Sequence, residues 1–137
     1  MTLTRAMYPL FIHRTVNSFS PESAEVYRKT RAENLGEEFR IAEDMTRNPD
    51  AVAKQWKKIQ AGFDLVSSWC DVGHQDINGP FITGDTPTYG DVVIASGLVW
   101  VKIVAGEESE EWKKIKGWNG GRWGRLSEAF EKYEILN

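Results

Sequence analysis

Few residues of this chain have types and spacing that suit chemistry: two histidines, one cysteine and a block of glutamates. His13 stands beside Arg14 and near Tyr8 in the first helical segment. His74 lies between Gly73 and Gln75-Asp76, a polar loop where solvation accounts for it. No cysteine–histidine–acid spacing matches a zinc site, so no metal is expected. Cys70 falls on the apolar stripe of a helix, a setting for inert packing more than for a reactive thiol. Glu107, Glu108, Glu110 and Glu111 open a helix, where the dipole and water stabilise them. Asn119-Gly120-Gly121-Arg122 lacks the continuation of a phosphate-cradling loop. Of six tryptophans, Trp56, Trp100, Trp112 and Trp123 fall at core spacing, but Trp69 and Trp118 do not. An aromatic-lined pocket for an apolar ligand could use those two. No constellation assigns a catalytic group.

Composition narrows the classes further. At 137 residues with 41% hydrophobic content, the chain can bury one core, and a single domain spanning 1–137 is expected. The net charge of −3 is spread without a basic stripe, which argues against nucleic acid or an anionic membrane as partners. The apolar run Val92–Val104 is too short and too interrupted to span a bilayer. A lone cysteine forms no internal disulfide, which suits a reducing, cytoplasmic compartment.

The elements that must position any site are helices. Residues 2–18 form a first segment, with Met7, Leu10 and Phe11 on one side and Pro9 predicting a kink or a late start. Ser20 is an N-cap ahead of Pro21. A helix over 21–45 then carries Ala24, Tyr27, Arg31, Leu35, Phe39, Ala42 and Met45 on one stripe, which Gly36 weakens without interrupting. After Asn48-Pro49, the helix 49–71 shows Val52, Trp56, Ile59, Phe63, Val66 and Cys70 at clean helical spacing. Gly73 to Gly79 is a polar connection. Thr88 and Asp91 form a capping box for a helix over 89–104 that is apolar nearly all round, hence central and covered on most faces. Trp56 and Phe63 are expected to bury against it. Helices at 107–116 and 122–133, parted by Asn119-Gly120-Gly121, complete an all-α bundle of about six helices.

Three blocks carry a resemblance. Phe81-Ile82-Thr83-Gly84-Asp85 followed by Pro87-Thr88-Tyr89-Gly90-Asp91 resembles the entry to the core helix of the glutathione transferase C-terminal domain, with Gly90 where alanine is usual. The block from Pro21 to Gly36 resembles the second-helix block of fungal, beta-etherase-like glutathione transferases. Gly120-Gly121-Arg122-Trp123-Gly124-Arg125-Leu126 is similar to their glycine–arginine–tryptophan turn. The resemblance covers most of residues 8–133. It implies that the first helix faces a cleft, where Tyr8, Phe11, Ile12, His13 and Tyr27 line an apolar substrate site and Arg31 orients the ligand. Tyr8, Phe11 and Ile12 should then form a partly exposed apolar patch.

Glutathione and its activating residue belong, in such proteins, to a thioredoxin-like domain with strands, and no stretch of these 137 residues reads as one. Three functions follow as alternatives. The chain is the hydrophobic-substrate domain of a transferase-like protein, needing a thioredoxin-like partner domain and glutathione for chemistry. It is a stand-alone binder, or a cofactor-free isomerase or cyclase, acting on an apolar small molecule. Or it is a structural domain that forms a homodimer.

Overall fold

The computed structural model describes residues 3–71 and 79–134. In order they form α1 (Leu3–Phe11), α2 (Pro21–Leu35), α3 (Glu37–Met45), α4 (Pro49–Asp71), α5 (Tyr89–Ala105) and α6 (Glu110–Phe130). 3-10 turns occupy Thr15–Ser18 and Glu131–Tyr133. Among the described residues there is no strand, only an isolated bridge between Phe81 and Gly84. The all-α architecture of about six helices is thus the one observed. His74, with the connection around it, lies outside the described residues. The chain divides into two compact units, residues 1–62 and 63–137, with the division inside α4.

In the first unit, α1 buries Ala6, Met7, Leu10 and Phe11. The 2–18 segment is shorter as a helix than its pattern predicts. The helix stops at Phe11, Arg14 N–H closes a turn onto the Phe11 carbonyl at 3.1 Å, and a 3-10 turn follows. Ser20 caps α2 by accepting from the Ser23 amide at 3.3 Å, with Pro21 in the first helical position. The expected continuous helix 21–45 is two helices. Gly36 takes φ 49° and ψ −116°, a conformation that a side chain disfavours. Its N–H donates to the Ala32 carbonyl at 3.0 Å and ends α2. The stripe nevertheless continues on α3, where Ala42 is buried. α3 packs against both α1 and α2. On α4, the buried Gln55 donates to the Ala6 carbonyl at 2.6 Å. Trp56 is half-buried, its ring edge-on to Phe11 at 6.0 Å.

In the second unit α5 packs on α6. Asp91, Ala95, Leu98 and Val101 form the buried face of α5, and Trp112, Ile115, Trp123, Leu126 and Phe130 are buried on α6. Phe63 is fully buried, as expected, and has ring neighbours on α6: Trp118 at 5.7 Å and Trp123 at 5.1 Å. Trp69 stays exposed. α5 is also less covered than its all-round apolarity implied, since Val92, Val93 and Ile103 are about half exposed or more. Apolar composition reports how much surface a helix can bury, and not which face finds a partner.

Two polar devices shape this unit. Asp91, 1% exposed, accepts from the Thr88 amide at 2.8 Å, the Thr88 hydroxyl at 2.7 Å and the Ile82 amide at 2.8 Å. One carboxylate therefore caps α5 and fastens the loop before it. The second device breaks α6. Asn119, Gly120 and Gly121 all have positive φ, a run in which the glycines avoid a Cβ clash. The Asn119 side chain secures the turn, donating to Asp64 at 2.9 Å and accepting from the Trp123 indole at 2.7 Å.

Candidate functional site

An apolar surface groove lies in the first unit, along α2. Residues 22, 26 and 30 make one i,i+4 row of that helix and 23, 27 and 31 the next, so side chains of adjacent rows stand side by side. Phe19, just before the Ser20 cap, closes the N-terminal end with its ring edge-on to Tyr27 at 5.1 Å. Val26, 65% exposed, Tyr27 and Thr30 form the floor, and Arg31 closes the other end. The groove encloses about 640 Å³.

Tyr27 is the pivot of this arrangement. Its hydroxyl donates to the Ile12 carbonyl at 3.1 Å, anchoring α2 to the turn after α1. The Arg31 guanidinium stacks over its ring, 5.2 Å from the centroid, a cation–π contact that fixes the charge without neutralising it. Arg31 makes no ion pair or hydrogen bond with any described residue. Tyr8 lies within electrostatic reach of both. Burial pushes its phenol above the ordinary value, against the pull of Arg31 and with help from Tyr27 and Glu38. Tyr8 is therefore a neutral hydrogen-bond donor at neutral pH.

The six residues expected to share one cleft divide into three groups. Tyr8, Tyr27 and Arg31 come together. Phe11 and Ile12 are closed into the core, at 0% and 4% exposure, so the exposed patch expected from Tyr8, Phe11 and Ile12 is not formed. His13 lines a different groove of about 550 Å³ with Val16, Arg28, Phe39, Arg40 and Glu43. Its Nδ1 is buried with no hydrogen-bond partner among the described residues. Burial first, then Arg14, lowers its pKa, with Glu43 opposing. The separation arises because α1 ends at Phe11, so the chain has turned before it reaches His13. Phe19, Val26 and Thr30 are the residues that pattern reading missed. Val26 and Thr30 stand four apart on one helical face, a readable signal, whereas Phe19 precedes the helix.

The second unit holds a smaller, more polar cavity of about 300 Å³ bordered by Cys70, Ile82, Asp91 and Arg122. Arg122 is already engaged by Ser67, at 2.9 Å to both its carbonyl and its hydroxyl, and by Asp71. Burial raises the Cys70 thiol, and Arg122 only partly offsets this, so the sulfur stays protonated and unreactive at neutral pH. Among the described residues no group of histidine, cysteine or acidic side chains could hold a metal ion. No described helix is long and apolar enough to cross a membrane.

Comparison with known proteins agrees with this geometry. The family model described as "Glutathione S-transferase, C-terminal domain" matches residues 1–133. A glutathione S-transferase of Ceriporiopsis subvermispora, solved in complex with glutathione, is 34% identical with a TM-score of 0.82, over 98% of this chain and 52% of that one. A second from the same organism, also solved with glutathione, is 27% identical with a TM-score of 0.77, over 93% and 50%. The glutathione transferase GSTFuA2 of Phanerochaete chrysosporium is 28% identical with a TM-score of 0.76, over 99% and 51%. The chain thus spans about half the length of the solved structures it matches. No curated protein gives a significant match. With its helices, its capped α5 and nearly its whole length accounted for, the chain belongs to the glutathione S-transferase family, as a C-terminal domain of that fold.

Proposed function

We propose that this chain supplies the apolar-substrate side of a fungal, beta-etherase-like glutathione transferase and binds an apolar small molecule along α2. The observation that carries this is the groove itself: Phe19, Val26 and Tyr27 present apolar surface at a concavity of about 640 Å³, where a soluble helix would ordinarily show charge. Glutathione chemistry needs donors to hold a thiolate. No described residue is placed to do so, and a thioredoxin-like domain, in the same protein or as a partner, supplies them in this reading. Arg31 is the cationic group at the edge of this groove, with Tyr8 within electrostatic reach of it. The unpaired Cys70 suits a cytoplasmic protein.

The test is a titration of the 137-residue chain with glutathione and, separately, with an apolar fluorescent dye, followed by sedimentation. The dye signal should saturate at constant sedimentation coefficient, and glutathione should neither bind nor be conjugated. A dye signal that grows only with self-association would favour the homodimer-forming alternative, for which the exposed Val26 face is available. Turnover of glutathione by this chain would relocate the chemistry.

A further inference from the structure

We infer that Asn119-Gly120 is a site of spontaneous deamidation gated by the turn it forms: the docked turn blocks the reaction, and the product cannot dock again. Asparagine followed by glycine is the pair in which the chain nitrogen attacks the side-chain amide most readily, because glycine has no Cβ to obstruct the approach. The Gly120 nitrogen bonds to Asn119 Cγ, Nδ2 leaves as ammonia, and the resulting cyclic imide takes up one water. Ring opening gives aspartate, or isoaspartate with the main chain rerouted through Cγ. The balance is one water gained, one ammonia lost and one negative charge added, with no reactant besides water.

In the folded chain three features hold the reacting atoms apart. Asn119 has φ 53° and ψ 44°. At that ψ its Cβ and the Gly120 nitrogen stand nearly opposite across the Cα–C bond, whereas the imide ring needs them on the same side. Both ends of the amide are engaged, Nδ2 donating to Asp64 at 2.9 Å and Oδ1 accepting from the Trp123 indole at 2.7 Å. Gly120 is tied by its carbonyl to Arg125 at 2.7 Å. Two of these three hydrogen bonds are solvent-exposed, which leaves the turn free to open locally. Deamidation then changes what can close. A carboxylate in place of the amide faces Asp64 with an anionic oxygen where a donor stood, and the two like charges repel. Isoaspartate instead lengthens the main chain inside a run of three residues with positive φ. Either product loosens the turn from α4, and with it the acceptor that holds the buried Trp123.

The experiment follows ammonia release and peptide mass at Asn119 while the whole chain is incubated at mildly alkaline pH, folded and in urea. Peptide mapping separates this pair from the other Asn-Gly, at 78–79. The folded chain should convert at Asn119 about tenfold more slowly than the unfolded one. Asp64→Ala, which releases one end of the amide, should raise the folded rate several-fold and leave the rate in urea unchanged. Asn119→Asp reproduces the aspartate product. It should lower the thermal midpoint by several degrees, and adding Asp64→Asn should restore it, because the donor then comes from α4. Circular dichroism checks that the single variants are folded. Equal rates in the folded and unfolded chain, or a folded rate indifferent to Asp64→Ala, would overturn the gating. Conversion in neither state would overturn the site itself. A midpoint unchanged by Asn119→Asp would overturn the claim that the product cannot dock.

Discussion

α2 and α6 are helices of similar making that meet opposite fates. α6 buries seven residues, from Trp112 to Phe130, whereas α2 buries only Ala24. α2 keeps its place through a Ser20 cap, the Tyr27–Ile12 hydrogen bond and contacts with α3. The difference separates two tasks. Helices of the second unit hold the fold through buried aromatic area, while α2 leaves its aromatic and aliphatic groups facing outward, where a ligand can use them. Stability and binding should therefore respond to different substitutions.

The sharpest way to break this comparison is at Trp123. It is 1% exposed, packs on Phe63 at 5.1 Å and donates to Asn119. Trp123→Ala should cost about 3–5 kcal/mol by denaturant unfolding; a loss near that of a surface change would mean that α6 is not where the fold is held. Next comes Asp91→Ala, which leaves the Ile82 and Thr88 amides without their acceptor. About 2 kcal/mol should be lost, with dye binding on α2 unchanged in protein that remains folded. Loss of binding with stability intact would contradict a purely structural role for that carboxylate.

A smaller effect should appear with pH. His13 has a folded pKa below its ordinary 6.5, so the unfolded chain takes up the proton first. Stability from this group is complete above about pH 6.5 and declines as pH falls through the folded value. His13→Gln should flatten that part of the stability–pH curve, as read by the thermal midpoint at successive pH values. Smallest in stability, and most telling for the comparison, is Val26→Ser. It should change stability by less than about 0.5 kcal/mol yet weaken dye binding several-fold. A variant that binds dye normally would move the site away from α2.

How much of this was legible beforehand depended on whether a signal was local. The caps were: Ser20-Pro21 and Thr88-x-x-Asp91 act within three or four residues, and both occur as hydrogen bonds in the structure. Gly36 was misread because the stripe Arg31–Leu35–Phe39–Ala42 runs past it without losing phase. A backbone reversal of handedness at one residue leaves no mark on hydrophobic period. The apolar excess of α5 was plain, but which face is covered depends on chain far away in sequence. At the candidate site, Tyr27 and Arg31 could be paired from their i,i+4 spacing. Phe19 could not, because it precedes the cap and looked like part of a break. Phe11 and Ile12 were placed at a cleft by analogy, whereas in the chain itself they serve the interior.

The thin anchoring of α2 also bears on how the molecule breathes. A helix with one buried side chain has few contacts to lose when it opens, so its amides should exchange with deuterium through local opening. Those of α6, by contrast, should wait for global unfolding. A ligand that touches Phe19 and Arg31 together would bridge nearly the whole helix and suppress that opening. Occupancy would then be recorded as slowed exchange confined to residues 21–35, a signature visible even for a ligand too weak to shift the melting temperature.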